Sequence, residues 1–368
     1  MYTITDVLRD TNSVRTGRAN IRRDTYENPD PVIIIGIQDT GGRSTDGAVL
    51  KQVATEEMYP GDSGGIEETT LATAFFDEHP SYDFEDTTYG LNVFCRIPIA
   101  YWWRGNLPEV GGSTPRWTML LSPAPITVTL HGTEIEFAAN PGAFKRSGSW
   151  IDQFYFGKFR ASDDGGTKIA SVSGATHLGN VSFASFSARA AAVGDGYHMI
   201  SLQEWQEICA RAAIEKGTFQ LMPESTRTTQ SSCKYRGVED FAYSGTVYAE
   251  WMDGVRTDAS AKYELWTEAG GDYSATLATA FNGSGDSTYY SQGVISGDLF
   301  DYLFLAETMG PASTSFIPDL SGRTQSRVSR ICHSYFSASG AYYGAFNSYF
   351  SYLPSDVYAG IGSRLAKW

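Results

Sequence analysis

Thirty-six residues near the end of this chain, Ile331 to Ala366, contain no Lys, Glu, Gln, Met or Trp, although these five types account for 51 of its 368 residues. About five would be expected in a stretch of that length at the chain average. Other shortages exclude whole classes of function. Lys and Arg number 28 against 42 Asp and Glu, a net charge of −14, so no cationic excess is present to displace counterions from a phosphate backbone. The short basic cluster Arg15, Arg18, Arg22 and Arg23 is read as a solvated face. The four cysteines, Cys95, Cys209, Cys233 and Cys332, show neither CxxC spacing nor a metal-ligand rhythm, and read as buried small hydrophobes rather than a disulfide frame. The longest apolar run, Pro31 to Ile37, is far too short to span a bilayer. No charged-then-apolar leader opens the chain. The sequence therefore leads to the expectation of a soluble protein that is exported, if at all, by a route such as assembly into a virus particle.

Hydrophobic content of 42% and aromatic content of 14% suit a folded protein, and the length suits two domains. Residues 1–145 read as a β-rich domain, with Val32–Ile37, Leu91–Ile99, Trp117–Leu121 and Ile126–Leu130 as strands between Gly, Pro, Asp and Asn clusters. Asn140 to Ser149 looks like a loop and is the expected boundary. In residues 146–368, Gln153–Phe159 reads as a strand and Val181–Val193 as a helix stopped by Gly194. Ser201-Leu-Gln-Glu204 is a capping box, with Ile200 and Trp205 at the staple positions. Leu202, Trp205, Ile208, Cys209 and Ala212 mark one apolar face of the helix it opens. Beyond Gly217 the chain is aromatic-rich, with many turn residues and little helical signal.

What fills 331–366 is Tyr, Ser, Phe, Ala and Gly, as in His333-Ser-Tyr-Phe-Ser-Ala-Ser-Gly-Ala-Tyr-Tyr-Gly-Ala-Phe-Asn-Ser-Tyr-Phe-Ser-Tyr352. Antibody paratopes use this mixture because Tyr gives large amphipathic contact area at low entropic cost while Ser, Gly and Asn adapt their hydrogen bonds. A ligand-binding surface is expected from Tyr335, Ser337, Ser339, Tyr342, Tyr343, Phe346, Asn347, Tyr349, Ser351, Tyr352, Asp356 and Tyr358. The aromatics would anchor and the small polar residues adapt around them.

Catalytic and metal-binding patterns fare poorly. Gly61-Asp-Ser-Gly-Gly65 matches the nucleophile loop of trypsin-like proteases, but the first histidine, His79, follows Ser63 instead of preceding it. A glycine-assisted turn is the better reading. The histidines (His79, His131, His177, His198, His333) have no metal-ligand spacing, and His198 reads as a packed or partly exposed structural residue. Asp83-Phe-Glu-Asp86 matches no calcium loop, and the glycines at 283–285 and 340–344 lack the strand-then-helix context of a phosphate cradle. No metal, no cofactor and no enzymatic activity are expected.

Three segments in order resemble formylglycine-generating-enzyme-like domains over about residues 150–368. They are Gly196-Tyr-His-Met-Ile-Ser-Leu-Gln-Glu-Trp205, Tyr235-Arg-Gly-Val-Glu-Asp240 with Gly245-Thr-Val-Tyr-Ala-Glu-Trp-Met-Asp-Gly254, and Pro354-Ser-Asp356 with Gly360-Ile-Gly-Ser-Arg-Leu365. The resemblance implies an α+β class, with a C-type-lectin-type fold after the β-rich N-terminal domain. It also implies core roles for Trp205, Trp251 and Leu365, and scaffold roles for Gly362 and Arg364. The enzymatic branch of that family uses a cysteine pair, and although Cys332-His-Ser-Tyr-Phe-Ser337 is similar to that segment, Ser337 stands where the second cysteine would be. The other branch comprises the variable proteins of diversity-generating retroelements, among them phage receptor-binding proteins. Their adenine-directed mutagenesis turns template Asn codons into Tyr, Ser, Phe, Ala, Gly, Asp, His or Cys codons, but never into Lys, Glu, Gln, Met or Trp codons. The resemblance thus implies recognition of a host or target cell-surface protein or glycan, with the chain located in a virion tail fibre or tail tip, or else displayed on a cell surface. It implies neither nucleic-acid binding nor membrane insertion. Residues 1–145 would serve attachment or oligomerisation, and analogy with tail proteins suggests a homotrimer. The alternatives are a formylglycine-generating-type oxidase relative and a fixed structural virion protein.

Overall fold

The computed structural model describes residues 34–44, 47–55, 63–64, 67–68, 83–109, 111–221, 235–238, 249–257, 262–267, 272–276, 289–294, 296, 298–310, 315–323, 329–333, 345–346 and 348–368. The basic cluster at residues 15–23, His79, Cys233 and the glycines at 283–285 and 340–344 lie outside the described residues.

Strands dominate, and the α-helices among the described residues are few: Pro141–Phe144 (α1), Phe183–Ala191 (α2) and Leu202–Lys216 (α3). The α+β class expected from the sequence is therefore corrected to a β-rich one. Much of the chain beyond Gly217, read as turn-rich, runs as strands of one large sheet, as its Tyr and Thr content favours on a pleated surface. That sheet runs Asp272–Thr276, Tyr263–Thr267, Ala249–Thr257, Ser329–His333, Ser348–Tyr352, Ile317–Arg323, Tyr289–Val294 and Ala306–Gly310. Ile361–Gly362 pairs in parallel with Ala249–Thr257, and Ser348–Tyr352 in parallel with Ile317–Arg323.

The expected N-terminal strands appear as Ile34–Ser44, Phe94–Pro98, Pro115–Ser122 and Thr127–Leu130. Ile34–Ser44 lies in a six-stranded antiparallel sheet between Gly47–Thr55 and Pro115–Ser122. Its alternate residues serve two cores: Ile34 joins Leu120 and Val53 on one face, Ile35 and Ile37 join Met119 and Leu121 on the other. A strand buried on both faces reads as a continuous apolar run, which is what the sequence carries. Ser63–Gly64, from the protease-like motif, is a two-residue strand beside Thr129 and Leu130.

The two halves of the chain share structure across residue 145. A five-stranded sheet orders Tyr197–Met199, Leu365–Lys367, Gln153–Gly157, Phe94–Pro98 and Asp83–Asp86. Asn140–Ser149, read as a boundary loop, is packed: Asn140 caps α1 by accepting from Gly142 N, Phe144 is fully buried, and Lys145–Arg146 pairs with Ser149–Trp150.

Helix α3 is the element on which both halves close. Its capping box is formed: Ser201 Oγ accepts from Glu204 N at 3.2 Å while Ser201 N donates to Glu204 Oε2 at 2.9 Å. At its other end Gly217 takes φ 65°, a left-handed cap that suits glycine, and Gln52 Nε2 donates to the Ile214 and Glu215 carbonyls at 2.8 Å each. The sequence marks one apolar face, yet every residue from Leu202 to Glu215 is buried. Burying the polar face requires a partner for each group. Asn140 Nδ2 donates to the Gln203 carbonyl, and Gln203 Nε2 donates to the Gly254 carbonyl. Arg211 donates to the Pro98 carbonyl and pairs with Glu207, which also accepts from Trp102 Nε1 at 2.9 Å. Glu215 pairs with Arg236 at 2.7 Å.

Candidate functional site

The described part of the 331–366 segment begins with strand Ser329–His333, in register with Ala249–Thr257, so that Cys332 lies opposite Trp251 and Tyr349. Trp251 is fully buried; its indole N–H donates to the Val181 carbonyl at 3.3 Å and its ring meets Phe183 edge-on. Tyr352 stands against the same indole, ring centroids 6.1 Å apart, and Tyr358 stands against Tyr352 at 5.0 Å. Stacked edge-on pairs of this kind hold a ring in one orientation.

The chain then turns back at Leu353–Gly360. Asp356 Oδ2 accepts from Leu353 N at 2.8 Å and Asp356 N donates to the Leu353 carbonyl at 2.9 Å, so this carboxylate fixes the turn. The Tyr358 carbonyl accepts from Asn180 N at 2.9 Å and from Ile361 N at 3.2 Å. A Cβ at Gly179 would run into the Ala359 carbonyl oxygen, so the 177–181 loop supports the turn only because residue 179 is glycine. Val357 and Tyr358 stand at the crest, 54% and 41% exposed. Five large hydrophobic side chains are strongly exposed among the described residues, and these are two of them. The result is an apolar and phenolic ridge on a backbone fixed from below.

Tyr352, Asp356 and Tyr358 are thus brought together. Phe346 is not on this surface and must be struck from it. Its ring is 1% exposed, packed between Phe219 at 5.4 Å and Phe304 at 4.9 Å. The adjacent Ala345 carbonyl accepts from Trp205 Nε1 at 2.8 Å, which locks this turn to α3. Tyr349 and Ser351 are placed as residues of strand Ser348–Tyr352. Tyr335, Ser337, Ser339, Tyr342, Tyr343 and Asn347 lie outside the described residues. Sequence reasoning did not name Val357, although it sits between Asp356 and Tyr358, which were named. Gly179 and Asn180 carried no signal, being far from 331–366 in the chain.

Residues expected to be scaffold are buried. Trp205, Trp251 and Leu365 are all fully enclosed. The Arg364 guanidinium pairs with Glu250 at 3.0 Å, donates to the Gly157 and Lys158 carbonyls, and lies over the Phe156 ring. Arg160 meets the same Glu250 at 3.1 Å.

The buried carboxylates of α3 are committed to structure. Burial alone would raise the Glu204 carboxyl, but His198 at 2.8 Å, Arg146 at 2.9 Å and the Ser201 N–H outweigh it and hold it at about 2. Glu207 goes the other way: burial raises it, and Arg211 and Trp102 only partly offset the rise. His198 also stacks on Trp368, centroids 4.2 Å apart, and is the packed structural residue expected. Among the described residues no three His, Cys, Asp or Glu side chains gather as a metal site. Compared with known proteins, the chain matches no family model and no curated protein.

Proposed function

We propose that the protein binds a target on a cell surface through the ridge Tyr352, Val357 and Tyr358 together with neighbouring residues of 331–366, in the manner of a diversity-generating-retroelement variable protein at a phage or virus tail tip. The observation that carries this reading is the coincidence of the ridge with the stretch from which Lys, Glu, Gln, Met and Trp are missing. Exposed aromatic and aliphatic side chains next to one another on a fixed backbone have the character of binding anchors. The buried pedestal of Trp251 and the turn bonds of Asp356 supply the second requirement of a diversified surface, a backbone held by groups other than the ones that vary.

Labelled protein applied to an array of cell-surface glycans and receptor proteins tests the reading. The reading expects at least one bound target, with binding weakened at least tenfold by the double substitution Val357→Ser with Tyr358→Ala. Equal binding by the double variant and the parent would place the binding surface elsewhere.

A further inference from the structure

Two loops meet at the ridge. Residues 171–182 lie beside residues 352–363: Asn180 N donates to the Tyr358 carbonyl at 2.9 Å, and Gly179 presses on the Ala359 carbonyl. The first loop is anchored as the second is. Leu178 N donates to the Ala161 carbonyl at 2.8 Å, and His177 bridges through its backbone to Ser162. Leu178 and Tyr352 both pack on the core that holds Trp251. Residues 173–176 of one loop are exposed, as are Ser355 and residues 357–359 of the other. Together the two loops carry one charged side chain, Asp356, where the chain average of 19% would place about five. That carboxylate is engaged in its own turn, accepting from Leu353 N.

We infer that these two loops form the core of one protein-binding face, whose partner is a folded surface protein offering an apolar pocket to Val357 and Tyr358. The inference rests on the target-binding role proposed for the ridge, and it narrows the target to a protein. Depletion of charge together with aromatic enrichment is what separates the core of a protein–protein interface from ordinary surface. A glycan is held differently, in a concave site with several convergent polar groups. Here the crest stands out from its turn, and its one carboxylate is already bonded. An anionic polysaccharide would also meet a chain of net charge −14. Residues 173–176, outside the 331–366 stretch, become a fixed flank of the face. With almost no charge in the contact, affinity should barely respond to salt.

The test applies labelled full-length protein to separate arrays of cell-surface proteins and of cell-surface glycans. Thr176→Glu is the discriminating variant: the residue is exposed, so the fold survives, and the new carboxylate would have to be desolvated without a partner on binding. Binding to a protein spot is expected, weakened roughly tenfold or more by Thr176→Glu. Between about 50 and about 500 mM NaCl the parent's affinity should change by less than about threefold. Binding confined to glycan spots overturns the inference and leaves the target-binding role of the ridge standing. Equal binding of a protein spot by parent and Thr176→Glu, or a steep loss with salt, also overturns it. Silence of both arrays refutes the target-binding role itself, and the inference with it.

Discussion

Phe346→Ala and Tyr358→Ala should have opposite effects although both residues belong to the same Tyr- and Phe-rich stretch. Phe346 is 1% exposed and sits between two further rings, so truncation opens a cavity inside the core shared by α3 and the large sheet. Removing a buried Phe side chain costs about 3–5 kcal/mol. The neighbouring Ala345 carbonyl carries the Trp205 hydrogen bond, so relaxation of the turn would add to the loss rather than heal it. Tyr358 is 41% exposed and loses one edge-on contact with Tyr352. Such a pair is worth about 0.5–1.5 kcal/mol at full burial, so less than about 1 kcal/mol is expected here. Urea unfolding followed by fluorescence and circular dichroism reads both, with the midpoint shift taken only if the two probes coincide. Target binding should follow the reverse order: lost in Tyr358→Ala, kept by whatever Phe346→Ala protein remains folded. Equal destabilisation by the two substitutions would refute the assignment of Phe346 to the core and Tyr358 to the ridge.

Three further outcomes follow from the buried groups. Glu204 is held at about 2 against an ordinary value of 4.5, so its contribution, roughly 3 kcal/mol, is full above pH 4.5 and lost as pH falls through about 2. Urea midpoints measured from pH 6 to pH 2 should fall less steeply in Glu204→Gln than in the parent. Arg364→Met leaves Glu250 buried with one of its two arginines gone, and loss of a buried partner costs about 3–5 kcal/mol; thermal unfolding should show it, and Arg364→Lys should rescue little because lysine lacks the planar fork. Gly179→Ala should displace the turn at 358–360 and weaken target binding while leaving α3 and its hydrogen-exchange protection intact.

Local signals were legible. The capping box at Ser201–Glu204, the strand at residues 153–157 and the doubly buried run after Ile34 depend on short-range chemistry, and each appears. The fold class was not legible, because it depends on long-range pairing. Nothing in Asn140–Ser149 announces that Arg146 will reach Glu204, or that Phe94–Pro98 will pair with Gln153–Gly157. The other face of α3 was silent for the same reason: Gln206, Glu207 and Arg211 take partners that arrive from Phe304, Trp102 and Pro98. Composition singled out the 331–366 segment, but it could not tell a buried Phe346 from an exposed Tyr358, since the side-chain type alone does not say which face of the backbone is covered.

The most direct measurement is deep sequencing of the codons for residues 331–366, with flanking DNA, from a natural population. Variation confined to adenine positions of a nearby near-identical repeat is expected, with Tyr352 and Tyr358 among the varying codons and the buried Phe346 and Phe350 held constant. An invariant segment with no template repeat would contradict a diversified binding surface and leave a fixed structural module in its place.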